Sequence, residues 1–168
     1  MSFSPVRRTR QNHALEHATI HLIGRAHPQS RVAGLSYPTG FTLITNLEPE
    51  AVYPLVDEAL QRLKRGESHL RLHPNCGTNL MTTALLVSAV AVATLRGLSE
   101  DRSAEARFDR FARLVLLETV ALVVAAPLGL LSQAKLTTEA DLSDLRVLAI
   151  VGGRYGSFNL IHVRTKGA

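Results

Sequence analysis

The sequence predicts an α+β protein: a small split head of about five strands and two helices, interrupted by a hydrophobic, membrane-spanning helical hairpin. Three observations predict it. Two aliphatic blocks, Leu80 to Leu95 and Phe111 to Leu131, are almost free of charge, the second holding only Arg113 and Glu118. A bilayer core needs roughly 17 to 25 such residues in a helix, so both blocks qualify, the first only just. Short segments bounded by turn residues lie on both sides of the blocks and read as strands, so the head is assembled from both flanks. The chain of 168 residues is about one domain long, and its 46% apolar content supports a real core. The expected organisation is residues 1–79 as an N-terminal α+β part, 80–131 as the hairpin and 132–168 as a C-terminal β-hairpin completing the head.

The elements follow in chain order. A first helix is expected from Pro5 or Val6 to Gly24, which is placed to stop it, with His27-Pro28 marking the exit. Leu15, Ala18, Leu22 and Ile23 form its apolar stripe. Two strands, Arg31 to Ser36 and Phe41 to Asn46, flank the turn-rich Tyr37-Pro38-Thr39-Gly40 and read as a hairpin. A second helix opens at Glu48-Pro49-Glu50, with proline early and acids at its positive end, and runs to Arg65 before Gly66. Ser68 to Leu72 alternates and reads as a third strand. Beyond the hydrophobic blocks, Arg146 to Val151 and Phe158 to Arg164 form a last hairpin around a wide turn, Gly152-Gly153-Arg154-Tyr155-Gly156-Ser157. Those glycines resemble a nucleotide loop only superficially, because a strand rather than a helix follows them.

Helices apolar on every face are membrane spans or cores of larger proteins, which favours the bilayer over a soluble hairpin buried in an oligomer. Of 19 Lys and Arg, nine precede the first span, five lie from Arg96 to Arg113 and five follow the second. The terminal parts carry more, so both termini are expected in the cytoplasm, with the hairpin in a bacterial inner membrane. The net charge of +5 suits contact with an anionic lipid bilayer. Arginines scattered among few aromatics give no support for nucleic acid as a partner. A single cysteine, Cys76, excludes an internal disulfide.

Residues 13 to 17 read His-Ala-Leu-Glu-His. At ~3.6 residues per turn, the imidazoles at i and i+4 and the carboxylate at i+3 emerge on one helix face. Two neutral imidazoles there can share one divalent cation, with Glu16 close enough to take a proton from water on that ion. A catalytic zinc keeps roughly three protein ligands and one open position, so a third ligand is required. His21 extends the face, but ligands at i, i+4 and i+8 span about 12 Å and cannot all reach one ion. His73 and Cys76, in the tight His73-Pro74-Asn75-Cys76-Gly77-Thr78-Asn79 segment, are the better candidates. Glu118 is the third, because a carboxylate inside an apolar helix is costly and by default functional. Thr78 and Asn79 equally suit a simple helix cap, Cys76 an inert small residue, and Glu118 an ion pair with Arg113. His69 and His162 are expected on strands, without a role.

The His-x-x-Glu-His spacing resembles the inverzincin signature of metallopeptidases. The resemblance covers five residues and implies that His13 and His17 bind zinc and that Glu16 activates the attacking water. That family takes its third ligand from a distal glutamate, which no motif places here, and its large chamber exceeds this length, so its fold is not carried over. The chain also looks like an uncharacterised bacterial membrane-protein family in which a His-rich helix precedes an Asn-Cys-Gly-Thr-Asn segment. The expected function is a membrane-associated zinc-dependent hydrolase acting on a peptide or protein substrate. The alternatives are a metal or redox sensor using Cys76 and, more strongly, a non-enzymatic accessory subunit of a larger membrane complex or homo-oligomer, whose histidines are structural or ligate a metal or pigment. Ala84, Ser88, Ala91, Ala121, Ala125 and Gly129 would allow that subunit close helix contacts.

Overall fold

A computed structural model describes residues 4–96 and 103–167. The fold is α+β, with two compact units: an α+β unit that runs to His73 and resumes at Ala134, and a helical unit from Pro74 to Gln133.

In the α+β unit, α1 (Pro5–Ala26) begins where Ser4 accepts from the Arg7 amide, with Pro5 in the first turn. It passes Gly24 and ends at His27, because Pro28 forces the preceding residue out of the helical region. The expected stop at Gly24 is therefore two residues early. Strands β1 (Val32–Tyr37) and β2 (Gly40–Thr45) form the anticipated hairpin. Helix α2 (Pro49–Lys64) carries Glu50 in its first turn and Arg62 and Lys64 in its last, matching its dipole. The final hairpin pairs β3 (Leu145–Tyr155) with β4 (Phe158–Gly167), and β4 inserts beside β2 to give one antiparallel sheet of order β1-β2-β4-β3.

Two expectations are corrected here. Ser68–Arg71 is a 3-10 turn, not a strand, so among the described residues the sheet has four strands rather than about five. Its Leu70 is buried as the alternation implied, but the segment finds no ladder partner, and its amides bond locally, Leu70 N–H to Glu67 O and Leu72 N–H to His69 O. The Gly-rich segment is not a wide turn. β3 continues through Gly152 and Gly153 to Tyr155, leaving Gly156-Ser157 as a two-residue turn with Gly156 at φ 63°. Gly152 is needed for packing: a Cβ there would lie 2.3 Å from Cγ of Pro49 at the start of α2.

One face of the sheet carries the core. Phe41 and Leu43 of β2 pair with Val163 and Ile161 of β4, and all four are buried with Ala14, Leu15, Ala18, Leu22 and Ile23 of α1 and Val52, Val56, Ala59, Leu60 and Leu63 of α2. Full burial of each large side chain stabilises the fold by about 1.5–3 kcal/mol. Polar contacts set the rotation of α1. Asn12 donates to Tyr37 O on β1 and accepts from the Thr165 hydroxyl on β4. Arg7 and Arg8 pair with Asp144, and Gln11 donates to Asp141 O and to the Asp144 carboxylate. Burial opposes ionisation of Asp144, yet the Gln11 amide and the two guanidinium groups hold its carboxyl below the usual range.

The helical unit consists of α3 (Gly77–Arg96) and α4 (Ala104–Ser132). Both are long and apolar enough to cross a membrane: at ~1.5 Å per residue α3 alone spans about 30 Å. Residues 97–102 of the polar link between the spans lie outside the described residues, and its part from Ala104 onward is helical. Pairing of the helices uses small residues of α4, where Ala121, Ala125 and Gly129 at every fourth position are buried. Ala84 and Ser88 of α3 are instead exposed. At the base of the pair Asn79 sits against Gly129, accepts from the Gln133 amide and donates to Pro74 O.

Adjacent glycines on β3 allow a matched test of the sheet packing. Gly152→Val overpacks the Pro49 contact and should destabilise the protein by about 1–3 kcal/mol. Gly153→Val, whose Cβ meets nothing within 4 Å, should leave the thermal unfolding midpoint unchanged or raise it. Equal losses in the two variants by calorimetry would contradict the assigned faces.

Candidate metal centre

α1 presents its histidines towards two irregular segments of the same unit, the stretch from Ser68 to His73 and the residues from Ala134 to Thr138. Both contain carbonyls that no helix or strand satisfies, and each takes a donor from α1. The His13 Nδ1–H donates to Thr137 O at 2.9 Å, the His17 Nδ1–H to Arg71 O at 2.7 Å, and the His21 Nε2–H to Leu72 O at 2.7 Å. A carbonyl only accepts, so these bonds fix the tautomers. Neutral His13 and His17 therefore carry their lone pairs on Nε2, and His21 carries its lone pair on Nδ1.

The rings are neighbours. His13 and His17 lie with ring centroids 4.2 Å apart, His17 and His73 5.8 Å, and His21 and His73 4.8 Å. His17 is buried and the other three are half-buried. His73 arrives from the end of the 3-10 turn, held near α1 by the buried Leu70 and by the Arg71 and Leu72 carbonyls that accept from His17 and His21. Burial, reinforced by the neighbouring His21 and His17, pushes the His73 imidazole down to about 4. It is therefore neutral at physiological pH, the form that ligates a cation.

Glu16 is buried beneath β1, where its carboxylate accepts from the Ser36 hydroxyl at 2.5 Å. Gly34 makes room for it: a Cβ there would lie 2.3 Å from Glu16 Oε1. Sequence reasoning missed Ser36 and Gly34 as partners of Glu16, although a glycine within a short strand is a signal for the close approach of another group. It also missed the carbonyls that orient the imidazoles, for which a sequence holds no signal.

Of the expected metal ligands, the α+β unit brings together His13, His17 and His73, with His21 against His73. Cys76 and Glu118 belong to the helical unit. Cys76 precedes α3, where its Sγ accepts from the Thr78 amide and its carbonyl accepts from the Asn79 amide, so it serves as a helix entry. Thr78 and Asn79, weighed as capping residues, lie in the first turn of the helix. Glu118 is half-buried on α4, about 21 Å along the axis from Ala104. Five residues place Arg113 about 140° around the helix from it, so the expected pairing within one helix is geometrically disfavoured. His69 lies in the 3-10 turn and is exposed; His162 is on the outer face of the sheet beside Thr42.

The family model described as "Domain of unknown function (DUF6391)" matches residues 8–150. An uncharacterised protein of Picosynechococcus sp. (strain ATCC 27264 / PCC 7002 / PR-6) is 35% identical over 91 residues. That match covers 49% of this chain and 44% of the relative, so the chain spans less than half the relative's length. No solved structure matches the chain.

The depressed His73 value has a sign that can be checked on metal-free protein. With the folded value near 4 and the ordinary value near 6.5, the unfolded chain binds the proton first. The stability that comes from neutral His73 is thus complete above about pH 6.5 and is lost as pH falls towards 4. In thermal melts of chelator-stripped protein, His73→Gln should show a shallower fall in midpoint over that window than the wild type; equal slopes would refute the assignment.

Proposed function

We propose for this chain, which belongs to the DUF6391 family, the role of a membrane-associated zinc-dependent hydrolase, a peptidase in the first instance. The observation that carries the reading is the tautomer pair: His13 and His17, one helical turn apart with rings 4.2 Å apart, both spend Nδ1–H on backbone carbonyls, which orients the Nε2 lone pairs for a cation. His73, neutral beside His17, is the third ligand in this reading. A zinc ion held there would supply an acidified water and polarise a scissile carbonyl. Glu16 is the proton acceptor, one residue before His17 on the same helix. Its hydrogen bond from Ser36 keeps the carboxylate in a single orientation, and its release from Ser36 is part of the proton transfer. Cys76 and Glu118 remain secondary candidates for the ligand set.

The bacterial inner membrane, with both termini in the cytoplasm, is proposed for the hairpin from the balance of fourteen Lys and Arg outside the spans against five between or beside them. A second reading is supported by the Glu16 contacts themselves. A buried carboxylate bonded to Ser36 and packed on Gly34 also serves as a structural tie between α1 and β1, as an accessory subunit of a membrane complex would require.

Elemental analysis of detergent-purified protein separates the two. The hydrolase reading expects about one zinc per chain, lost in His13→Ala and His17→Ala, reduced in His73→Ala and retained in Glu16→Gln. Glu16→Gln should then lower peptide hydrolysis by about 10²–10⁴-fold. Wild-type protein without metal, or zinc-loaded protein inert towards peptide libraries, would favour the accessory subunit.

A further inference from the structure

The face of the sheet opposite α1 and α2 is uncovered, and its composition is unusual. An antiparallel sheet with one solvated face ordinarily alternates apolar-in with polar-out. Here the outward positions include Leu35 (71% exposed), Ile44 (46%), Val151 (57%) and Tyr155 (76%). They form cross-strand rows: Leu35 lies opposite Thr42, Thr42 opposite His162, and His162 opposite Val151. Towards the chain end of β4 the same face carries Arg164 and the cross-strand pair Arg146 and Lys166, all exposed. None of the four strands contains an Asp or a Glu.

We propose that this face docks on the surface of an anionic phospholipid bilayer. The apolar rows enter the acyl boundary while Arg146, Arg164 and Lys166 meet the headgroup phosphates. Charge decides against a second copy of the chain, because two such faces would oppose three cations to three cations with no carboxylate between them. An anionic partner is required. The exposed aromatics of this face, Tyr155 and its cross-strand partner Phe158, lie at the turn end of the β3–β4 hairpin, away from Arg146 and Lys166, whereas a nucleic-acid face would interleave stacking aromatics with its cations. The two apolar helices that leave the head after His73 and return before Ala134 tether it to a bilayer, which keeps lipid at an effective concentration of about millimolar or more. Each basic residue near an anionic surface contributes a factor of about five in binding, so neutralising three weakens docking roughly a hundredfold.

The chain has no tryptophan, so a single Val151→Trp substitution reports on this face alone. Full-length protein is placed in nanodiscs of brominated phosphatidylglycerol or of brominated phosphatidylcholine. A blue-shifted, bromine-quenched emission is expected in the anionic discs. A water-like emission is expected in the zwitterionic discs and in the Arg146→Gln/Arg164→Gln/Lys166→Gln background. Leu35→Trp, on a different strand, gives an independent reading should the first variant misfold. Water-like emission from both positions in both lipids overturns the proposal. So does a shift that is equal in both lipids and indifferent to the triple substitution, or one that appears only on adding single-stranded RNA.

Discussion

The arrangement of the α+β unit depends on how the carbonyls at the ends of its irregular segments are satisfied. Where the chain re-enters this unit after α4 it passes through a π-helical turn, Gln133–Thr137, and the carbonyls of Ala134, Lys135, Thr137 and Thr138 accept from side chains elsewhere in the unit. Arg71 donates to the first, Arg10 to Lys135 and Thr138, and His13 to Thr137. Positive and N–H-bearing groups at the negative end of a helix are favourable on both electrostatic and hydrogen-bonding grounds. Two of these three donors are on α1, and the third lies beside the carbonyls that accept from His17 and His21. Two sets of backbone acceptors therefore tie α1 to the irregular segments: the carbonyls after α4 take Arg10 and His13 and anchor Arg71, while the Arg71 and Leu72 carbonyls take His17 and His21, so that together they orient three imidazoles. The histidine cluster is ordered by the same bonds that close the fold.

Much of this was legible in the sequence, and the failures have physical causes. Helices α1 and α2 and both hairpins follow from period, proline and glycine, since local rules govern those segments. Ser68 to Leu72 misled because alternation over five residues does not distinguish a strand from a turn that buries one leucine; a strand also needs an edge to pair with, and β4 occupies the open edge of β2. Gly152 and Gly153 read as a loop because the use of Gly152, clearance for Pro49 some hundred residues earlier, is a long-range contact. In the candidate site the spacing of the i, i+4 histidine pair was legible, and the tight segment from His73 to Asn79 offered His73 and Cys76 together as candidate ligands. The engagement of Glu16 by Ser36 was not, because strand and helix meet there only through the tertiary fold.

The Glu16 environment also bears on chemistry. A carboxylate this deeply buried must be hydrogen-bonded or protonated, and the Ser36 hydroxyl supplies one bond at a short distance. Such a bond holds the group in place. Gly34 leaves the strand backbone near enough that the carboxylate is confined from two sides. A proton acceptor at this position would work only by exchanging the serine for a substrate-side donor. That exchange requires β1 or the Glu16 side chain to yield, and β1 is one of the two edge strands of the sheet, paired on one side only.

The two faces of the sheet divide the remaining physics. The inner face is apolar at Phe41, Leu43, Ile161 and Val163 because it must exclude water from α1 and α2, and the fold explains every one of those residues. The outer face is apolar at Leu35, Ile44 and Val151 although nothing in the fold needs it to be. Exposed β-branched and aliphatic residues on an antiparallel sheet invite pairing with other chains unless charge opposes it. Arg146, Arg164 and Lys166 supply that opposition against copies of the same chain, while attracting an anionic surface. The same three cations thus discourage aggregation and select a partner, which accounts for a face that is at once too apolar for water and too basic for its own kind.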